Sequence, residues 1–337
     1  MLNIYQLSDW RIEISTQSAA VRKEKTRKKE RYGRDLSLGR RLLNQWDIQL
    51  MVIPAIIYIF IFCYIPMYGL LMSFQDFSIF KGFWKSPWVG LKHFKAFLAA
   101  PDFWNIMRNT VVISLLRIFF GFPAPIILAL MLNEVRNRTF KRVIQTVSYL
   151  PHFLSWVIVS SFVFSILSVE NGSLNLLLLK LNIIKEPISF LDENKYFWSI
   201  IVTTGIWKEI GFGSIVYLAA IAGIDPQLYE AASMDGASRT RQIFLITIPC
   251  ILPVIILFLI LAIGDLLSAG FEDLLLLGSN PIQRPVSDVI DTYVYRHGVK
   301  TQRFSYATAV GMFKAVISIG LLAGANKLAK KTGNSLW

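Results

Sequence analysis

The chain has little of what builds a chemical centre. Its 337 residues include two cysteines and three histidines. Cys63 and Cys250 sit inside apolar runs and read as lipid- or core-facing thiols, so no disulfide framework or metal site follows from them. His93, His152 and His297 lie far apart and form no ligand-like spacing. No glycine is followed by lysine, which excludes a phosphate-cradling G-x-x-x-x-G-K-[ST] loop. There is no H-E-x-x-H helix and no G-x-S-x-G turn. Covalent chemistry and nucleotide binding are therefore not expected of this chain. A cleaved signal peptide is not expected either, because the first apolar run comes late and no small-residue cleavage site follows it.

What the chain has is apolar length. Hydrophobic residues make up 54% of it, and several runs reach about 20 residues, the length that crosses a bilayer as a helix. The expected class is an all-α integral membrane protein with six transmembrane helices, near 50–74, 110–132, 143–167, 197–221, 248–269 and 304–328. Pro54 and Pro66 are expected to kink the first, and Pro123 and Pro125 to break the second. This divides the chain into a basic cytosolic segment with an amphipathic helix at 34–47 (1–48), a first transmembrane helix (49–75) and an extracytoplasmic loop (76–105). A five-helix core containing the loop 224–249 follows (106–330), then a short cytosolic tail (331–337). Trp84, Trp88 and Trp104 suit a membrane-interface belt. The patch 174–184 is too short and polar to span. In the last helix Thr308, Gly311, Ala315 and Ser318 share a small-residue face, which suits close helix packing in lipid.

The formal charge is +13, but its placement argues for a lipid bilayer partner and not for nucleic acid. Eleven Lys/Arg fall in the first 47 residues, beside the first span. With the N-terminus inside, the inner segments collect twenty Lys/Arg and the outer loops twelve. The bias predicts N-in, C-in, and it places the 224–249 loop in the cytosol.

That loop is unusual for a connector. Asp225 is a good N-cap, Pro226 suits the first helical position, and Gly236 suits the left-handed residue that ends a helix. A second helix is expected to restart near Ser238, giving a helix–turn–helix elbow. Its residues Glu230-Ala231-Ala232, then Gly236, then Ile246-Thr247-Ile248-Pro249 carry a spacing that resembles the EAA loop of permease subunits of ABC importers; Ile248 stands where Leu is usual. The resemblance implies a MetI-like permease fold in a bacterial cytoplasmic membrane. It also implies coupling to an ATPase through Tyr229, Glu230, Ala231, Ala232, Met234, Asp235, Gly236, Ala237 and Arg239.

Further motifs are similar to carbohydrate-type permeases: Arg108-Asn109-Thr110, Tyr149-Leu150-Pro151-His152-Phe153 and Ile206-Trp207-Lys208. The segments 287–296 and 305–314, Asn326-Lys327-Leu328 and Ser335-Leu336-Trp337 resemble the LplB-like branch, associated with uptake of oligosaccharides and polysaccharide fragments, uronate-rich ones included. The family implies a second homologous permease subunit, two copies of a cytoplasmic ABC ATPase that bind ATP and magnesium, and an extracytoplasmic solute-binding protein. No cofactor is expected on this chain itself. A permease for a non-sugar solute and a gradient-driven secondary transporter are the alternatives.

Ionisable residues within spans cost about 2.5–3.5 kcal/mol each at a helix centre on insertion scales, so they should face the bundle interior or a wet cavity. Arg117, Lys208, Glu209, Asp265 and Lys314 are of this kind. A translocation path is expected to use Arg117, Lys208, Glu209 and Lys314 with Ser155, Ser160, Thr203 and Thr204; structural pairing inside the bundle is the competing reading. Lys208 and Glu209, about 100° apart on a helix, are not expected to pair with each other.

Overall fold

The computed structural model describes residues 46–331 and 333. Residues 1–45, and with them nearly all of the amphipathic helix expected at 34–47, lie outside the described residues, as does Ser335-Leu336-Trp337. Among the described residues the chain is all-helical, with no strand and one isolated bridge between Gln75 and Trp88. In chain order the main helices are α1 (Gln49–Phe74), α2 (Phe103–Glu134), α3 (Arg138–Phe153), α4 (Trp156–Leu167) and α5 (Asn194–Ala222). The elbow helix α6 (Pro226–Met234), α7 (Arg239–Gly264) and α8 (Phe304–Lys330) follow. Five of these, α1, α2, α5, α7 and α8, are long and apolar enough to cross a bilayer. The described residues form two compact units, one ending at Tyr68 and one beginning at Gly69; the site lies in the second.

The prolines do not break α2. Three π-turns, Phe60–Tyr64, Arg117–Gly121 and Ile243–Thr247, each end two residues before a proline: Pro66, Pro123 and Pro249. Proline lacks an N–H and its ring collides with the carbonyl four residues back. The extra residue of a π-turn widens the helix at that point and lets it run on. Pro54 and Pro253 are carried within regular helix.

The third expected span is corrected. Residues 143–167 are not one helix: α3 and α4 meet at 103°. Pro151 starts a tightened turn, and Leu154 and Ser155 are extended (ψ 139° and 151°). The Ser155 hydroxyl then caps α4 by accepting from the Ile158 N–H. With 12 residues α4 is about 18 Å long, short of the ~30 Å hydrocarbon core. α7 also differs from expectation, starting at Arg239 and stopping at Gly264 where residues 248–269 were expected.

α5 is the central element, packed on α2, α3 and α7. Its contact with the end of α3 is backbone on backbone: a Cβ on Gly211 would lie 1.9 Å from the Ser148 carbonyl oxygen. The connection between α7 and α8 folds inward as short helices at Glu272–Leu277, Arg284–Ser287 and Ile290–Tyr295. Phe97, Phe103, Ile106, Leu267, Ile290, Tyr293, Tyr306 and Val310 make a buried cluster there. Phe97 is its hub, with ring centroids 5.1 Å from Phe103 and 5.4 Å from Phe313, both edge-on.

Candidate functional site

The elbow is built from local hydrogen bonds. Asp225 Oδ1 accepts from the Gln227 N–H at 3.0 Å and starts α6. At the other end Gly236 has φ +73°, the Gly236 N–H bonds to the Ser233 carbonyl, and the Ala237 N–H bonds to the Ala232 carbonyl at 2.9 Å. This pair of bonds around a left-handed residue is the Schellman closure that satisfies the last carbonyls of a helix. Ser238 Oγ then caps the start of α7 by accepting from the Arg241 N–H.

The elbow is clamped to α7. Gln242, 5% exposed, donates from Nε2 to Ser233 Oγ (2.9 Å) and to the Ala237 carbonyl (3.2 Å). The Tyr229 and Thr247 hydroxyls lie 2.9 Å apart. Tyr229 and Ala232 are therefore turned toward the chain, whereas Glu230, Ala231, Asp235, Gly236 and Arg239 are exposed and Met234 is 89% exposed. A short apolar and acidic surface is left open on a stiff mount. A cleft of about 220 Å³ separates the mount from the Asn133–Arg136 turn, with Tyr229, Arg239 and Gln242 on one wall.

A second polar cluster forms where α3 bends into α4. Lys208, 5% exposed, donates to the His152 carbonyl at 2.6 Å, and its ammonium lies 5.5 Å from the centre of the Trp156 ring. His152 Nδ1 and Glu209 Oε2 are 2.8 Å apart, and the imidazole stacks on Phe212 at 3.9 Å. Against expectation Lys208 and Glu209 also approach each other, at 3.5 Å. Both side chains bend toward His152, which the helical angle between their Cα atoms does not capture.

The remaining path candidates do not gather around this cluster. Arg117, on the π-turn of α2, pairs with Asp273, whose side chain is 4% exposed. Lys314 pairs with Asp291. Ser160 is 3% exposed and donates to the Trp156 carbonyl at 2.6 Å. Thr203 and Thr204 line an apolar cleft with Val163 and Phe190. Asp265 is exposed and lines a cleft with Arg117. The acidic partners Asp273 and Asp291 are not picked out as partners from the sequence because they lie in the α7–α8 connection, outside the apolar runs. Gln242 escapes it because a glutamine after a cap carries no periodic signal.

Residues 121–333 match the family described as the binding-protein-dependent transport system inner membrane component. The chain is 49% identical over 288 residues to Protein LplB of Bacillus subtilis, covering 86% of this chain and 89% of that one. It is 47% identical over 293 residues to the polygalacturonan/rhamnogalacturonan transport system permease protein YteP of the same organism, covering 87% and 90%. A chain in the crystal structure of a bacterial ABC transporter involved in the import of the acidic polysaccharide alginate superposes with a TM-score of 0.81 at 40% identity, covering 87% of this chain and 98% of that one. The same transporter in complex with an alginate pentasaccharide-bound periplasmic protein gives 0.81 at 39% identity, covering 88% and 99%. An all-helical bundle of apolar spans, a capped elbow with the EAA spacing and a family match over most of its length lead to one assignment: the chain belongs to the inner membrane components of binding-protein-dependent transport systems.

Proposed function

We propose that this chain is a permease subunit of an ATP-driven importer of acidic oligosaccharides or polysaccharide fragments. The observation that carries the reading is the likeness, across nearly nine-tenths of the chain, to a transporter chain whose solute is alginate. YteP, whose name specifies polygalacturonan and rhamnogalacturonan, supports the same solute class, since the acidic units in all these polymers are uronates. Both termini face the cytosol. A second permease subunit, two ATPase copies holding ATP and magnesium, and an extracytoplasmic solute-binding protein complete the machine.

In this machine α6 sits in a groove of the ATPase, presenting Glu230, Ala231, Met234 and Asp235. Gly236 sets the turn. Gln242 and Tyr229 pass displacement of α6 to α7, because a clamp of direct hydrogen bonds leaves little slack between the two. The solute passes the His152–Lys208–Glu209 cluster at the bend between α3 and α4. Arg117 and Lys314, already paired with aspartates, hold the bundle.

Purification from the native membrane in mild detergent, with co-purifying proteins identified by mass, tests the assembly. An ATPase, a second six-span chain and a solute-binding protein are expected. Recovery of the chain alone in several detergents would favour a gradient-driven transporter. The coupling role is tested with Gly236→Val, which places a β-branched residue at φ +73°. Membrane insertion should persist while uptake uncouples from ATP hydrolysis; normal uptake refutes the role. For the path, Lys208→Ala and Glu209→Ala should change solute affinity or rate in assembled complexes. Two assembled variants with wild-type kinetics would remove the cluster from the path.

A further inference from the structure

A polar cleft of about 140 Å³ lies in the α7–α8 connection, between the Leu274–Pro281 turn and the helix carrying Thr292, Tyr295 and Arg296. Three cations line it: Arg284, Arg296 and Lys300. One carboxylate, Asp288, lines it too, and that charge is already committed, since Asp288 pairs with Arg296 and accepts from the Thr292 hydroxyl at 2.9 Å. Asp192 stands one bond behind the rim, accepting from Asn280 Nδ2 at 2.7 Å. Among the described residues Arg284 and Lys300 have no carboxylate within salt-bridge reach, and Lys300 only overhangs the Tyr295 ring at 5.8 Å. Both are exposed, while Asp288 and Thr292 are buried beneath them.

The construction differs from a solvated basic surface. Buried Asp288 and Thr292 with the partly exposed Arg296 fix the floor, and two cations with no carboxylate partner among the described residues stand above it. A net positive cleft with a fixed floor favours a small anion with planar oxygens, which a guanidinium can grip with two parallel hydrogen bonds. At about 30 Å³ per water, the volume admits a carboxylate and a few waters but no sugar chain. A ligand would insert one acidic group and leave its body outside.

We infer that this cleft, through Arg284 and Lys300, receives a uronate carboxylate of the incoming oligosaccharide at the outer end of the permease. The inference rests on the acidic-saccharide reading above and adds a residue-level site to it. A carboxylate could also come from the solute-binding protein, and the test separates the two sources.

The complex, purified with its partners and reconstituted in proteoliposomes, is assayed for uptake of trigalacturonate and trimannuronate. Affinity of the solute-binding protein for the complex is measured separately by co-sedimentation. Failure of the wild type to take up either trimer would overturn the acidic-saccharide reading itself, before any variant is made. With wild-type uptake in hand, Arg284→Gln/Lys300→Gln should cut uptake efficiency on the order of tenfold or more, as expected for lost charge-assisted bonds. Binding-protein affinity should stay unchanged, and Arg284→Lys/Lys300→Arg, which keeps both charges, should recover most of the uptake. Unchanged uptake in the Gln variant overturns the inference. So does a loss of uptake matched by weaker binding-protein affinity, which would assign the carboxylate to that protein.

Discussion

The elbow and the α7–α8 connection are both loops between spanning helices, yet they are held in opposite ways. Every side-chain bond that shapes the elbow closes within 18 residues: Asp225 with Gln227, Gln242 with Ser233, Tyr229 with Thr247. The α7–α8 connection also has ties to partners 156 to 180 residues away. Asp273 meets Arg117, Asn109 donates to the Pro285 and Asp288 carbonyls, and Thr110 accepts from the Ile290 N–H. The elbow keeps its outer face open, whereas the other loop buries the carboxylates of Asp273 and Asp288. A loop that must move with a partner needs a stiff local shape and few ties to the bundle. A loop that closes the bundle needs the reverse. Damage to the two regions should therefore appear in different assays.

The largest effect is expected at Asp273. In Asp273→Asn the Arg117 guanidinium, 29% exposed, keeps its charge and loses its partner. Breaking such a pair costs about 3–5 kcal/mol, and the partial exposure of Arg117 argues for the lower end. Tryptophan-fluorescence melting in detergent should show a clear loss of stability. Replacing both members by apolar residues, Arg117→Met/Asp273→Leu, should recover much of it, because no uncompensated charge remains. A melting curve for Asp273→Asn that overlays the wild type would break the contrast between the loops. Next comes Asn109→Ala. Asn109 is fully buried and satisfies two carbonyls at 3.0 Å, so its removal should cost about 1–3 kcal/mol in the same assay.

At the elbow the order reverses. Gln242→Leu removes bonds of 2.9 and 3.2 Å, with a net effect of about 1 kcal/mol confined to the α6–α7 corner. Global melting should barely move, while ATP-driven uptake falls and ATP hydrolysis persists. A variant that melts early but transports normally when folded would mean that the clamp serves stability and not coupling.

The same contrast explains what could be read in advance. Asp225, Pro226 and Gly236 each act on their immediate neighbours, so cap, first turn and left-handed exit follow from residue type, and the observed φ of +73° agrees. The helical class and most span positions follow from apolar length. The bend between α3 and α4 does not, because the end of α3 and the whole of α4 together are apolar enough to read as one run. Pro151 alone does not reveal a 103° turn that also needs extended residues at 154 and 155. Pro123 misleads in the other direction, since its effect depends on whether the preceding turn can widen. The ion pairs were half visible: Arg117 and Lys314 stand out in apolar sequence, but an aspartate in a polar loop does not announce which cation it meets. At Lys208 and Glu209 the backbone angle was right and the conclusion wrong, because long side chains converge on a third residue 57 positions away.

The smallest expected effect lies where the 75–98 loop rests on the start of α8, through the bond from the Phe77 N–H to Ser305 Oγ at 2.9 Å. Asp76 holds this loop with Lys92 at 2.6 Å and His93 at 2.9 Å. The Lys92 hydrogen bond, ahead of the charges of Lys92 and His93, keeps the Asp76 carboxyl below the usual carboxylate range. A depressed folded value means that the pair contributes above the unfolded pKa, near 3.9, and is lost as pH falls through the folded one. Exposed pairs contribute about 0–1 kcal/mol, and with 60% and 38% of the two side chains in solvent this one belongs at the low end. Asp76→Asn should therefore melt slightly below the wild type at pH 7. The gap should narrow as pH falls below the unfolded carboxylate range and close once the wild-type carboxyl is protonated in the folded state, and it should shrink at pH 7 in about 1 M salt, where the Debye length is ~3 Å. A gap of the same size at pH 7 and in acid would assign the contribution to hydrogen-bond geometry and not to charge, and would make this loop resemble the elbow.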